Sequence, residues 1–376
     1  MTVFWLTLTI VFISGYFARG LSTEIVLADG VVQGRPSKFF AFIAASILAL
    51  VSGLRIPMGL GVIGDTGQYS RSFLYVIPNN IADAMEDFKW FNGDTGFNVF
   101  QSFIKEYIST DPQVFILVCA LITNLCVVYA IYKYSTIFEL SLFLYITTGM
   151  YLVTMNGIRQ MVVSALLFCC LRLIAEGKWL KLLMIVLLIS TLHTSALIFI
   201  PVYFFVRFKP WSKVVVATLA GSIIVLALFN QVGAILLGGL EGTQYSQYQE
   251  YIMASGGGAN IIRVFVAAVP VLMAYWGRKK IAERNDTFIN ILVNFSVLNL
   301  AFYVLTLQNW VFVRMTMYFT MAGLILLPWL IKNLFDRETG ELMKISCIIL
   351  YGIYYYYEMS VSLGITYISK YLTFFD

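Results

Sequence analysis

The chain has 376 residues, 60% of them hydrophobic and only 12% charged, with a formal net charge of +5. Soluble domains carry roughly 25% charged residues, so this composition excludes an ordinary water-soluble enzyme, and the absence of a basic tract excludes a nucleic-acid binder. Apolar runs of about 13 to 21 residues between short polar turns fit helices crossing a hydrocarbon core of roughly 30 Å, and they lack the alternation of a transmembrane barrel.

In chain order the apolar segments lie at about 2–18, 38–54, 112–132, 138–155, 158–175, 179–191, 194–207, 213–230, 261–277, 287–306, 311–331 and 342–358. The expected fold is an all-α polytopic membrane protein of about 12 transmembrane helices, with residues 1–376 forming a single integral membrane domain. The first segment lacks the basic start and small-residue cleavage site of a signal peptide and is expected as a retained helix. Basic turns at Arg172, Lys178 and Lys181, at Arg207, Lys209 and Lys213, and at Arg278, Lys279, Lys280 and Arg284 mark the cytoplasmic side. The N-terminus and the stretches 55–111 and 230–260 then face the exterior. Residues 55–111 carry four Lys/Arg against seven Asp/Glu, and residues 230–260 carry no Lys or Arg. Trp179, Trp211, Trp276 and Trp310 sit at run ends, as interfacial anchors do.

Both exterior stretches are too long for simple connectors. Residues 55–111 contain Gly64-Asp65-Thr66-Gly67-Gln68-Tyr69 and Asp94-Thr95-Gly96-Phe97, after which Phe97, Phe100, Phe103, Ile104 and Tyr107 recur at helical spacing. An amphipathic helix lying along the outer surface or in its interface is expected there. Residues 230–260 are glycine-rich at both ends, with Tyr245, Tyr248 and Tyr251 between, and read as an exterior flap.

Chemistry-bearing residues follow from this topology. Arg55, Asp65, Asp94, Arg159, His193, Arg263 and Arg314 all fall at or near exterior helix ends. An ionisable group in a membrane is a functional candidate because burying it is costly, and arginine's fork of donors matches phosphate oxygens. Each has a plainer reading: Arg263 and Arg314 as snorkelling arginines, Arg55 as an ion-pair partner of Asp65 or Asp94, and the two aspartates as turn formers. Arg159 stands out because Asn156, Gly157 and Gln160 interrupt an apolar hairpin around it. His193 is the only histidine, flanked by Thr191, Thr194 and Ser195, and imidazole suits proton transfer near neutral pH. The five cysteines fall inside apolar runs without metal-ligand spacing and read as reduced packing residues. One histidine without an acidic ligand cluster, and no P-loop, GxSxG or DxD-like pair, point to chemistry with no cofactor, no metal and no nucleotide donor.

Taken together the motifs resemble the EpsG family of bacterial exopolysaccharide membrane proteins, which is related to Wzy-type polysaccharide polymerases. The resemblance is carried by Ser52-Gly53-Leu54-Arg55, Asp65 with Tyr69, Asp94-Thr95-Gly96-Phe97, Asn156-Gly157-Ile158-Arg159-Gln160, His193-Thr194-Ser195-Ala196-Leu197 through Pro201, Tyr245-Ser246-Gln247-Tyr248 and Arg314. It implies a GT-C-like glycosyltransferase of the bacterial inner membrane, joining undecaprenyl-pyrophosphate-linked oligosaccharide repeats at the exterior or periplasmic face. Membrane lipids and other membrane proteins of the polysaccharide pathway are the implied partners. Arg159 and Arg314, then Arg55 and Arg263, would bind pyrophosphate, while His193, Asp65 and Asp94 are the candidates for the general base. Gln160, Tyr69, Tyr245 and Tyr248 would contact substrate. A transporter or flippase of lipid-linked sugar, or a single-transfer ligase or acyltransferase, is the alternative; transporters place polar sites near the bilayer midplane, whereas these residues gather toward one face.

Overall fold

The computed structural model describes residues 1–26, 32–90, 94–229 and 257–372. Almost all of the regular structure is helical: α1 (Thr2–Gly20), α2 (Lys38–Gly53), α3 (Thr66–Tyr75), α4 (Ile81–Glu86), α5 (Thr95–Tyr107), α6 (Pro112–Tyr134), α7 (Phe138–Thr147), α8 (Met150–Val153), α9 (Ile158–Cys169), α10 (Leu171–Ala175) and α11 (Trp179–Ser190). A 3₁₀ turn (Thr194–Ile198) leads into α12 (Phe199–Phe205) and α13 (Lys213–Ala227). After residue 256 come α14 (Ile261–Trp276), α15 (Arg278–Arg284), α16 (Thr287–Thr306), α17 (Val313–Thr316), α18 (Thr320–Leu334) and α19 (Arg337–Tyr356). Among the described residues the one departure is a short antiparallel hairpin, β1 (Thr23–Val26) with β2 (Val32–Arg35), between α1 and α2. Four-residue strands are too short for alternation to register in a sequence.

Each apolar segment lands on a helix or on a pair of helices. Three single helices, α1, α6 and α16, are long and apolar enough to cross a bilayer, and the bent pairs α14–α15 (67°) and the Trp310–Thr316 segment with α18 (60°) raise this to five among the described residues. Several other apolar helices have only 10–17 residues, because breaks such as Gly149 (φ 81°) and Gly157 (φ 22°) divide the runs. Outward faces are apolar, as a lipid environment requires: Leu180, Met184 and Leu188 on α11 and Ile345, Ile349 and Ile353 on α19 form exposed stripes at i, i+4 spacing. The chain is therefore a helical membrane protein.

The helices group into two compact units, Met1–Cys170 with Leu187–Ala196 and Ile331–Asp376, and Leu171–Val186 with Leu197–Leu330. In the second unit α13 and α14 pack on α16, with Val215, Val271 and Val297 buried between them. Asn294 of α16 donates to the carbonyls of Val206 and Phe208 (3.0 and 2.7 Å), occupying oxygens at the end of α12 that have no partner in that helix.

In the first unit α2 packs against α6 and α1, and α6 against α9. The end of α2 shows how backbone oxygens are satisfied where water is scarce. Leu48 O accepts from the Tyr151 hydroxyl (2.8 Å), Val51 O from Tyr367 (2.8 Å), Ser52 O from Arg55, Gly53 O from Gln113 Nε2 (2.7 Å) and Leu54 O from Ser369 (2.6 Å). Partners from four separate segments thus fix where α2 stops.

Helix α5 forms where the aromatic spacing predicts, but not as a helix lying on the outer surface alone. Its Phe97 and Ile104 are buried with Phe73, Phe115, Ile116, Cys119, Ile158 and Val162, while Phe103 and Tyr107 face outward. Lys105, buried on the same helix, donates to Ile77 O (2.7 Å) and Asn79 Oδ1 (3.1 Å) just beyond the end of α3, and lies 5.3 Å from the centre of the Phe73 ring. A cation at those C-terminal carbonyls complements the helix dipole and ties α3 to α5.

Candidate functional site

Three loops of the first unit meet around Asp94. Asp94 precedes α5 with φ 53° and ψ 37°, a left-handed conformation that aspartate tolerates. Its carboxylate does not cap its own helix. It turns instead to the loop after α11: Oδ1 accepts from Thr194 N (2.7 Å) and Thr194 Oγ1 (2.9 Å), and Oδ2 lies 2.8 Å from His193 Nδ1 and 3.0 Å from Arg159 Nη2. Four contacts use up the acceptor capacity of a carboxylate. Burial works against the Asp94 charge, but the hydrogen bond and charge of His193, then Arg159 and the Thr194 amide, outweigh it and hold the carboxyl below its ordinary range.

Close approach of the two loops depends on Gly96. Its N–H donates to Thr191 O (3.0 Å), and a Cβ there would sit 2.6 Å from Thr191 Oγ1 and 2.8 Å from Thr191 O. The sequence Asp-Thr-Gly therefore combines a left-handed aspartate with the small residue that lets its loop dock on Thr191–Thr194.

Arg159 occupies the first turn of α9, which starts at the positive-φ Gly157. Its side chain is 29% exposed. The guanidinium carbon lies 5.9 Å from the centre of the Phe97 ring, and Tyr69 meets that ring edge-on at 6.3 Å. Only one edge of the guanidinium is occupied, by Asp94; Nε is buried with no hydrogen-bond partner among the described residues. The first-turn N–H groups of α9 have no acceptor within their own helix. The guanidinium thus sits at a helix N-terminus, an end that favours negative charge. His193 is buried, and the carboxylate on Nδ1 favours the tautomer whose basic lone pair is on Nε2.

The loop before α3 docks beside this cluster. Asp65 N donates to Asn156 Oδ1 (3.1 Å), and Thr66 Oγ1 donates to Met155 O (3.0 Å). Gly64 has φ 53°, and a Cβ on it would lie 2.6 Å from Asn156 Oδ1. Asp65 itself is half-buried, held next to the segment that carries Arg159. Gln160 is buried in the same turn of α9.

Arg55 behaves differently from the anion binder that the sequence suggests. It is 2% exposed, and its donors go to Thr66 Oγ1 (2.9 Å), Ser52 O, Ser52 Oγ (3.3 Å) and Met155 O (3.2 Å). Carbonyls and hydroxyls, rather than Asp65 or Asp94, are its partners. Arg55 joins the end of α2, the start of α3 and the Met155–Arg159 turn.

The structure therefore brings Asp94, Arg159 and His193 into direct contact and attaches Asp65 through Asn156. Arg263, in the first turn of α14, and Arg314, in α17, are half-buried residues of the second unit. Tyr245 and Tyr248, with most of the 230–260 flap, lie outside the described residues. Sequence reasoning missed the linking roles of Thr66 and Asn156 and the buried Lys105. A lysine within an amphipathic helix gives no sign of burial by itself. Among the described residues no group of three or more His, Cys, Asp or Glu could hold a metal ion.

A model of the EpsG family matches residues 38–373, nearly the whole chain. The chain belongs to the EpsG family. No curated protein and no solved structure matches it. Membership makes this EpsG-family chain a bacterial membrane protein of exopolysaccharide synthesis, and it bears out the family resemblance read from the sequence.

Proposed function

We propose that this EpsG-family chain is the polymerase that joins oligosaccharide repeats carried on undecaprenyl pyrophosphate. In this reading it works at the exterior face of the bacterial inner membrane, on a GT-C-like scaffold of about 12 spans. The observation that carries the proposal is the Asp94 carboxylate shared between His193 Nδ1 and Arg159 Nη2, with Arg159 Nε left unpartnered. One carboxylate thereby orients a base and an anion receptor side by side.

The reaction forms a bond from an acceptor hydroxyl oxygen to C1 of the donor sugar. The bond from C1 to the pyrophosphate oxygen breaks, and its electron pair leaves with the lipid pyrophosphate. His193 Nε2 takes the hydroxyl proton, which makes it the base in preference to Asp94, whose oxygens are all engaged. Arg159 and the first turn of α9 stabilise charge developing on the pyrophosphate. Asp94 is a positioning residue, and so is Arg55, in place of the phosphate contact. Asp65 stands beside the site as a candidate for acceptor binding, with Tyr69 and Gln160. Arg314 and Arg263 keep the pyrophosphate role, and Tyr245 and Tyr248 the sugar-contacting role, that the resemblance gives them.

The test is lipid-reconstituted protein incubated with an undecaprenyl-pyrophosphate-linked repeat, with products resolved by chain length. A ladder from the wild type that Arg159→Gln and His193→Ala abolish supports the reading. A single addition would replace polymerisation by one-step ligation. Protein-dependent movement of intact lipid across the bilayer without elongation would replace it by transport.

A further inference from the structure

The first unit contains a second polar feature, at the other end of α6. That helix has 23 residues, about 34 Å at 1.5 Å per residue, and it starts just after α5, which carries the Asp94 site at its own N-terminus. Where α6 ends there is a cavity of about 560 Å³, bounded by the end of α1, the β1–β2 hairpin, the α6–α7 turn and the α18–α19 junction. This size is in the range of small-ligand sites.

Its charged lining consists of four cations, Arg19, Lys332, Arg337 and Lys344, and two carboxylates, Asp336 and Glu341. Both carboxylates have partners already. Asp336 caps α19 by accepting from Thr339 N (3.0 Å) and Thr339 Oγ1 (2.8 Å), and Glu341 pairs with Lys344 (2.7 Å). Arg19 pairs with the buried Glu139 of α7 (3.1 Å). Lys332 and Arg337 remain, with no ion pair or hydrogen bond among the described residues. Thr136 on the α6–α7 turn lines the cavity too, and its Oγ1 is buried without a hydrogen-bond partner among the described residues. A buried hydroxyl normally finds one, so its isolation inside a cavity rimmed by unpaired cations points to a ligand.

We propose that this cavity binds a phosphate-bearing anion, with Lys332 and Arg337 gripping the phosphoryl oxygens and the Thr136 hydroxyl donating from the cavity wall. The planar fork of Arg337 matches phosphate oxygens, and a compact lysine charge beside it completes the neutralisation. The phosphoryl group comes either from the headgroup of an anionic phospholipid or from a free phosphate compound. None of the residues around Asp94 lines this cavity, so it is separate from the sugar chemistry.

The experiment uses the full chain in nanodiscs. One arm titrates inorganic pyrophosphate into phosphatidylcholine nanodiscs by calorimetry; the other compares thermal midpoints between phosphatidylcholine and phosphatidylglycerol nanodiscs. The variants are Lys332→Gln with Arg337→Gln, Thr136→Val, and, as a control for diffuse charge, Arg278→Gln with Lys279→Gln on α15. The expected result is a response in at least one arm that the cavity double variant weakens about tenfold, that Thr136→Val weakens measurably, and that the α15 pair leaves unchanged. A pyrophosphate response identifies a free phosphate compound; a phosphatidylglycerol response identifies the headgroup. No response in either arm, or equal losses in the two double variants, overturns the proposal.

Discussion

Arg55 and Arg159 are both arginines set among apolar helices, and both are held against the Met155–Arg159 turn or within it. Arg55 is enclosed, with its donors taken up by Thr66, Ser52 and Met155. Arg159 has one edge on Asp94 and a buried Nε without a partner. The cost of burying a cation is met in the first case by protein oxygens alone. In the second it is met only in part, and an incoming anion would complete it. Residue type alone does not separate the two arginines; exposure and the count of satisfied donors do.

The largest expected effect comes from removing the enclosed arginine. Arg55→Met leaves the Ser52 and Met155 carbonyls short of a charged donor. At roughly 1.5–3 kcal/mol for each such hydrogen bond, it should destabilise the fold by about 4 kcal/mol or more. Thermal unfolding of purified protein measures this, and a near-wild-type midpoint would remove the distinction between the two arginines. Arg159→Gln should lower the rate of chain elongation about 10²-fold or more while moving the midpoint less than half as far as Arg55→Met. A variant that polymerises normally would mean that the open edge of Arg159 meets no substrate charge.

Gly96→Ala tests whether the Asp94 loop must approach Thr191 this closely. The added methyl meets both Thr191 Oγ1 and Thr191 O, and overpacking of this kind costs about 1–3 kcal/mol. Thr191→Ala in the same background should restore only part of the loss, because the backbone oxygen stays. Full restoration, measured again by unfolding, would show that the hydroxyl alone sets the distance.

The smallest effect concerns pH. Asp94 is held below its ordinary value of 3.8, so its ion pairs add stability that is fully present above that value and lost as pH falls through the lowered folded-state value. Wild type and Asp94→Asn should therefore differ in unfolding midpoint at neutral pH and converge in strong acid. A gap that stays constant down to acid pH would assign the effect to neutral hydrogen bonding with Thr194 instead.

Much of the helical architecture can be read from hydrophobic runs, since a lipid-facing helix must be apolar over its whole length; α6 and α16 illustrate this directly. The breaks are harder to read. Runs such as 138–155 and 158–175 look continuous, and the interruptions at Gly149, where the backbone takes a left-handed turn, and within Cys169–Leu171 carry no polar signal. The strands β1 and β2 escaped because four residues are too few for alternation to register, and the inward face of α5 because period and composition do not say which apolar surface will cover it.

The residues of the site were legible one at a time. Arg159 and His193 are polar or charged groups between apolar runs, rare enough in a membrane protein to stand out from sequence alone, and Asp94 stands out through its Asp-Thr-Gly-Phe motif in an exterior stretch. Their grouping into one hydrogen-bonded cluster was not legible, because 99 residues separate Asp94 from His193 and the contacts that join the two loops, Asp94 with His193 and Thr194 and Gly96 with Thr191, form only on folding. By itself the sequence determined that the chain is helical and membrane-embedded, and which residues could carry chemistry, since transfer free energies act residue by residue. Only the tertiary structure decided that Arg55 is enclosed and Arg159 open, because whether a donor is satisfied depends on oxygens that distant parts of the chain bring to it.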